Sequence, residues 1–108
     1  MGHILEEMNF LMKNCGAVEI QELSTDEVLS QACPKSLEII GEASRNISED
    51  LKRAHQEIPW RQMTGMRNKR VHHYFGVDWE IVDDVLKNEL PDLRLSMREL
   101  VSELQSSE

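Results

Sequence analysis

The sequence predicts an all-α fold, an antiparallel bundle of four to five helices that dimerises. Apolar residues recur every three or four positions along most of the chain, which is the period of one helix face. Aromatic residues make up only 5% of the chain, beside five glycines and three prolines, which disfavours a β-sandwich or barrel. The 108 residues are enough for one domain, 1–108, with a modest core, and pairing would cover leftover apolar surface.

The first half of the chain contains two predicted helical regions. One apolar face predicts a first helix over Ile4–Cys15. Ser24 followed three residues later by Glu27 is a capping-box pattern, so we expect Ser24 to begin the next helical region. Because Pro34 lies inside the apolar stripe that follows, we expect a short helix near residues 25–30 and a longer helix that starts near residue 32.

The second half contains three further predicted elements. Ser48 is expected to begin a short helix, and the next helix is predicted over Pro59–His73. Asp78 is a predicted N-cap for the last helical region. From Trp79 to Leu104 the apolar stripe keeps its phase across Pro91, which predicts one long helix kinked there or two helices in phase.

One segment of the sequence is basic although the protein is acidic. The net charge of −8 argues against nucleic-acid binding by the surface as a whole. Residues 52–73, the basic island, nonetheless hold six of the 12 lysines and arginines and only one of the 20 acidic residues. A local positive site of this kind can still capture a polyanion.

Several classes of protein are disfavoured by the composition. The longest apolar run is Phe10–Met12, and the first twenty residues lack a basic signal region, so we expect a cytoplasmic protein without a membrane partner. Cys15 and Cys33 suit a reducing compartment and are interpreted as small buried hydrophobes. No cysteine or histidine spacing resembles a zinc site, so no metal is expected.

Arg67 is out of place in the predicted Pro59–His73 helix, because it falls in the middle of the apolar stripe. Its neighbours on that face, within about 40°, are Trp60, Met63, Val71 and Tyr74. An arginine there is either paired, with Glu42 as one candidate, or faces a cleft or a partner. Asn68 and His72 share the adjacent flank, so the amide can orient the imidazole.

These side chains suit chemistry on a phosphodiester. His72 titrates near neutral pH and can take or give a proton, while Arg67 offers a planar fork of donors to a phosphate. In RNA the 2′-hydroxyl lies beside the scissile phosphate, so a base and an arginine suffice for internal attack without a metal. Tyr74 adds a hydroxyl that can bind phosphate or accept a covalent group. Candidate RNA contacts in the basic island are Arg61, Lys69, Arg70 and His73.

The segment from Arg67 to Tyr74 resembles the R-x4-H-x-Y motif of the HepT-like family, a branch of the HEPN superfamily. Five further segments resemble the family in the same order along the chain. They are Leu37–Ala43, Ile58–Trp60, Gly65–Asn68, Tyr74–Asp78 and Leu90–Leu93. The resemblance extends from about Ile4 to Leu104 and implies a HEPN-like helical bundle.

The resemblance implies a function as well as a fold. HepT-like proteins resemble toxins of type VII toxin–antitoxin systems, which are metal-independent ribonucleases that dimerise so that two motif copies form one cleft. Arg67 and His72 would be catalytic, and Asn68 would orient His72. The resemblance further implies an MntA-like nucleotidyltransferase antitoxin that transfers AMP from ATP to Tyr74. No cofactor is implied, and the assembly would be a homodimer or a higher oligomer.

Two other interpretations remain open from the sequence. Some relatives are described as substrate-binding partners of nucleotidyltransferases, so the chain could be a non-catalytic adaptor that presents Tyr74. A plain helical oligomerisation module is the weaker alternative. The chain departs from the family pattern at His73, where glycine is common, and at Pro34, which is not expected in that helix.

Overall fold

The computed structural model describes residues 2–68, 72–73 and 76–106. Seven α-helices occur within these residues: α1 (Gly2–Asn14), α2 (Ile20–Thr25), α3 (Leu29–Arg45), α4 (Glu49–Ala54), α5 (Trp60–Thr64), α6 (Trp79–Asp84) and α7 (Leu90–Ser106). A 3-10 turn follows α5 at Gly65–Asn68, and a π turn joins α6 to α7 at Val85–Glu89. Two short strands, β1 (His72–His73) and β2 (Gly76–Val77), pair antiparallel.

The core lies between three helices, with α1 packed against both α3 and α7. Lys87 Nζ donates a hydrogen bond to the carbonyl of Val18 at 2.9 Å, just beyond the end of α1. Arg94 Nε donates to Oδ1 of Asn9 at 2.7 Å, in the middle of α1. The chain therefore runs back along α1, which makes α1 and α7 antiparallel. Fully buried side chains fill the space between the helices, among them Met8, Leu11, Leu37, Ile40, Met63, Met97 and Leu100. The predicted helical bundle is confirmed.

The predicted first helix agrees with α1, because the expected apolar face is the buried one. Ile4, Met8 and Leu11 are at most 1% exposed, and Cys15 just after the helix is fully buried. Burial of Cys15 and Cys33 confirms their interpretation as core residues. Their thiols also hydrogen-bond each other, which together with burial raises the pKa of Cys33. The same hydrogen bond lowers the pKa of Cys15.

The start of α3 differs from the sequence prediction in two ways. Ser24 does not begin a helix; it lies in the last turn of α2 and donates its hydroxyl to the carbonyl of Gln21 at 3.1 Å. Asp26 supplies the cap instead, because its Oδ1 accepts from the backbone N–H groups of Val28 at 2.9 Å and Leu29 at 2.8 Å. The carboxylate of Asp26, two residues after Ser24, is therefore the group that satisfies the free backbone N–H donors at the start of α3.

The break expected near Pro34 is also wrong, because α3 runs without interruption from Leu29 to Arg45. Pro34 lies near the start of this helix, so its missing N–H removes one hydrogen bond from the first turns. Its ring is buried, and the buried face continues in phase through Cys33, Leu37 and Ile40. Burial of this stripe holds the helix together across the proline.

The predicted Pro59–His73 helix is the largest disagreement. The α-helix ends at Thr64, a 3-10 turn carries the chain to Asn68, and His72–His73 form a strand. Gly65 follows the last α-helical residue, and glycine is a poor continuer of helices. The single α-helix that the sequence predicted as the carrier of Arg67 therefore ends before that residue, at Thr64, and the predicted place of Tyr74 on the same face lies outside the described residues.

The last part of the chain forms the predicted long helical stretch. Asp78 Oδ1 accepts from the backbone N–H groups of Glu80 at 3.1 Å and Ile81 at 3.3 Å, which confirms the N-cap. Helical structure then continues without a break from Trp79 to Ser106, and only its hydrogen-bonding pattern changes, from α to π, in the turn just before Pro91. Pro91 cannot donate the N–H that an α-helix needs there, and π turns are one way of accommodating this. The in-phase apolar residues are buried: Val82, Leu86, Leu90, Leu93, Met97 and Leu100.

Candidate functional site

The structure places the backbone of five of the eight predicted site residues. Arg67 and Asn68 lie in the 3-10 turn at Gly65–Asn68, and His72 and His73 form β1. Arg61 lies on α5 with an exposed side chain. The remaining predicted residues, Lys69, Arg70 and Tyr74, lie outside the described residues.

The 3-10 turn is fixed to the core by the residue that precedes the motif. Met66 is fully buried, as is Met63 one turn earlier, and both elements pack against α3. The packed face of α3 includes Ile40 and Gly41, which are buried. Because Met66 points into the core, the backbone of Arg67 is held at the edge of the same packed layer.

The second half of the motif is held by the two-stranded pairing. His72 pairs with Val77, and His73 pairs with Gly76, in antiparallel register. Asp78 follows β2 directly and caps the first turn of α6. The backbone of His72 is therefore tied to the start of α6, while that of Arg67 is tied to α3. This arrangement replaces the single helix that the sequence predicted as the carrier of the site.

A polar contact connects α5, the helix that leads into the 3-10 turn, to the π turn. Gln62 Nε2 donates a hydrogen bond to Oε1 of Glu89, a residue of the π turn. Trp60 Nε1 donates to the carbonyl of His55 at 3.0 Å, which fixes the start of α5. Irregular helical turns such as this π turn occur often beside functional sites.

The basic island divides into paired and unpaired cations. Lys52 Nζ lies 3.9 Å from Oε1 of Glu49, and Arg53 lies 3.3 Å from Oδ1 of Asp50, both within α4. Arg61 forms no ion pair with any residue that the structure describes. Among the described side chains of the island, Arg61 is thus the cation left available to an external anion. Arg61 is exposed, as an RNA contact has to be, and it stays a predicted contact.

Metal binding and membrane crossing concern residues 2–68, 72–73 and 76–106 as a whole. No group of three or more histidine, cysteine or acidic residues lies close enough there to hold a metal ion. No helix in the same ranges has both the length and the apolar character that crossing a membrane requires.

Known proteins resemble this chain along nearly all of its length. The family model described as "Ribonuclease HepT-like" matches residues 4–100. A protein of Caldanaerobacter subterraneus subsp. tengcongensis named "Putative RNase" is 36% identical over 92% of this chain and 88% of its own length. The "Probable ribonuclease HepT" of Thermococcus cleftensis is 40% identical over 84% of this chain and 83% of its own. A "Putative RNase" of Methanocaldococcus jannaschii is 31% identical over 97% of this chain and 87% of its own length. No solved structure matches the chain significantly.

Proposed function

Because the chain belongs to the HepT-like ribonuclease family, we propose that it is a metal-independent RNA endonuclease and the toxin of a type VII toxin–antitoxin system. The observation that carries this proposal is the match of the family model over residues 4–100, which includes both halves of the R-x4-H-x-Y motif. The names of the relatives, each a ribonuclease by description, support the same activity. The site needs no cofactor, because its own side chains supply a base and a cationic anchor.

The proposed reaction is an internal transesterification of RNA. His72 removes the proton from the 2′-hydroxyl, whose oxygen attacks the adjacent phosphorus and forms a 2′,3′-cyclic phosphate. The bond from phosphorus to the 5′-oxygen breaks, and a protonated His72 of a second copy gives its proton to that oxygen. Arg67 stabilises the negative charge that grows on the phosphoryl oxygens. Asn68 orients His72, and Arg61, Lys69, Arg70 and His73 contact neighbouring phosphates.

This reaction needs two imidazoles in opposite protonation states, so we propose that the active form is a homodimer or a higher oligomer. Two copies of the 3-10 turn and of β1 then line one cleft. The Arg67 and His72 backbones are tied to different parts of the bundle, α3 and α6, which keeps them in place when RNA binds. Preorganisation of this kind lowers the barrier without reorganisation during the reaction.

We propose further that an MntA-like nucleotidyltransferase is the antitoxin. Its reaction joins the Tyr74 phenol oxygen to the α-phosphorus of ATP, and pyrophosphate leaves. The added AMP places bulk and negative charge in the cleft and repels the RNA backbone. Both proteins act in the cytoplasm in this scheme.

The test of the nuclease is cleavage of RNA by the purified, nuclease-free protein in the presence of a chelator. We expect His72→Ala and Arg67→Ala each to lower the rate by about 10²-fold or more, the range for a proton-transfer catalyst. His55→Gln is the matched control, because His55 lies just after α4, with its Nδ1 3.4 Å from Oε1 of Glu57, and takes no part in the scheme. Full cleavage by His72→Ala would falsify the proposed catalysis.

The test of the antitoxin reaction is the intact mass after incubation with the nucleotidyltransferase and ATP. A gain of whole AMP units by the wild type and not by Tyr74→Phe is the expected result. Uncleaved RNA together with tight nucleotidyltransferase binding would instead favour the non-catalytic adaptor.

A further inference from the structure

A groove of about 570 Å³ runs between the antiparallel helices α1 and α7, lined by residues far apart in the sequence. These residues, the α1–α7 groove, are Leu5, Asn9, Met12, Lys13, Arg94 and Arg98. Three of the six are cations and none is acidic. The half-buried side chains of Leu5 and Met12 give it an apolar component. None of the groove residues belongs to the basic island.

The cations of the groove are not neutralised by the protein. Arg94 Nε donates to Oδ1 of Asn9 at 2.7 Å, which orients the guanidinium while its two Nη groups carry four further N–H donors. Within the described part of the chain, Lys13 and Arg98 form no ion pair and no side-chain hydrogen bond. A neutral amide is thus the one described polar partner of the cluster.

Cations elsewhere in the described structure are mostly paired with carboxylates. Salt bridges join Lys35 to Glu38, Lys52 to Glu49, Arg53 to Asp50 and Lys87 to Asp83. The protein has 20 acidic residues for 12 basic ones, so acidic partners are abundant. Three cations that share one groove without an acidic partner therefore indicate an anionic ligand from outside the chain.

We propose that the α1–α7 groove binds the phosphate backbone of single-stranded RNA outside the cleavage motif. The inference rests on the proposed ribonuclease function and extends its substrate-binding surface. Two arginines and a lysine supply the phosphate contacts, and arginine can engage a phosphate through two parallel hydrogen bonds. Phe10 is 38% exposed and lies about 60° from Lys13 around α1, where its ring can stack on a base.

The groove lies along the same helical stretch that borders the motif. Arg94 is five residues after Glu89, which is about 7.5 Å along a helix axis. Glu89 accepts the hydrogen bond from Gln62 on α5, the helix that leads into the motif turn. At the other end of the groove, Arg98 also borders a surface lined by Glu99 and Glu103, whose negative charge limits how far the phosphates extend beyond Arg98.

The experiment measures RNA affinity with cleavage switched off. The 108-residue protein carrying His72→Ala is titrated with fluorescent single-stranded RNAs of about 4 and about 16 nucleotides, the range of site sizes in single-strand-binding grooves. The same titration is then made with a variant that carries Lys13→Glu and Arg98→Glu in addition to His72→Ala. We expect the variant to lose at least 10-fold in affinity for the longer strand. The increase in affinity from the short to the long strand is expected to be smaller in the variant than in the His72→Ala parent. The slope of log affinity against log salt is expected to fall by about 1.4, or 0.7 for each lost phosphate contact.

Two further variants keep the result interpretable. Lys35→Glu/Arg45→Glu makes the same change in net charge on exposed positions of α3, and it is expected to leave affinity within about 2-fold because Debye screening limits distant charges. The variant Lys13→Ala/Arg98→Ala introduces no new charge. It is expected to lose RNA affinity too, by a smaller factor than Lys13→Glu/Arg98→Glu.

Each contrary outcome identifies which proposal fails. If the groove variants and the α3 control bind RNA with equal affinity, the proposed RNA binding by the α1–α7 groove is overturned, whereas the proposed ribonuclease activity is unaffected. Absence of RNA binding by the His72→Ala parent overturns both proposals. Unchanged RNA affinity with lost nucleotidyltransferase binding overturns the RNA assignment and makes the groove a protein-docking surface.

Discussion

Gln62 of α5 donates a hydrogen bond to the carboxylate of Glu89, 27 residues further along the chain. The contact joins the helix that precedes the Arg67 turn to the π turn in the last helical stretch. This contact thus connects α5, which leads into the 3-10 turn, and the π turn. A bond between them restricts how far α5 can move relative to the last helical stretch.

The Gln62–Glu89 contact predicts a small and local effect of mutation. Glu89→Leu removes the acceptor and is expected to lower the free energy of unfolding by about 1 kcal/mol, because the bond is exposed. Glu89→Gln keeps an acceptor oxygen and should stay within about 0.5 kcal/mol of the wild type. Urea unfolding measures both. Equal destabilisation by the two variants would show that the carboxylate charge matters and the hydrogen bond does not.

Met66 predicts a large effect, because it anchors the 3-10 turn in the core. Its side chain is fully buried, so Met66→Ala leaves a cavity and is expected to cost about 2–5 kcal/mol. Met66→Leu keeps most of the volume and is expected to cost less than about 1.5 kcal/mol. Thermal or urea unfolding gives the two values. RNA cleavage is expected to fall further in Met66→Ala than in Met66→Leu, since Arg67 follows directly.

Asp26 and Ser24 offer a direct comparison of two possible caps for α3. Asp26→Ala removes the acceptor for two backbone N–H groups and is expected to cost about 1 kcal/mol. Ser24→Ala loses one hydrogen bond in the last turn of α2 and should change stability by less than about 0.5 kcal/mol. The midpoints of denaturant unfolding, compared between variants with the same m-value, distinguish the two effects. A larger effect at Ser24 would restore the capping box that the sequence suggested.

The buried thiol pair predicts unequal reactivity. Hydrogen bonding lowers the pKa of Cys15, whereas that bond and burial raise the pKa of Cys33. Because both thiols are fully buried, iodoacetamide reaches them only when the core opens locally, and it should then label Cys15 before Cys33; peptide mass spectrometry would show the order. In the unfolded protein both thiols should react at similar rates, which is the control. Faster labelling of Cys33 would contradict the assigned directions.

The same shift gives Cys33 a pH-dependent contribution to stability. Its proton is retained in the folded state while the unfolded thiol ionises near the ordinary value of 9.0. Folding therefore binds a proton above that pH, and the contribution of Cys33 is complete below about pH 9 and declines as the pH rises. A stability curve between neutral and alkaline pH tests the sign.

The sequence by itself determined the helical class, α1 and the apolar stripe of the last helical stretch. Each depends on a period of three or four residues, and the buried residues of α1 and α7 follow it. Asp78 was also recognisable as a cap, because an N-cap bonds to N–H groups only two or three residues away. These features are local, so a short window of sequence contains the physics that decides them.

The tertiary structure alone decided the form of the motif and the second basic surface. A continuous helix to His73 agreed with the local pattern, but burial of Met63 and Met66 against α3 and the pairing of His72 with Val77 produced a turn and a strand instead. The groove exists because Asn9 and Arg94, 85 residues apart, meet between antiparallel helices. Contacts between distant residues depend on how the helices pack, and periodicity within each helix contains no information about that choice.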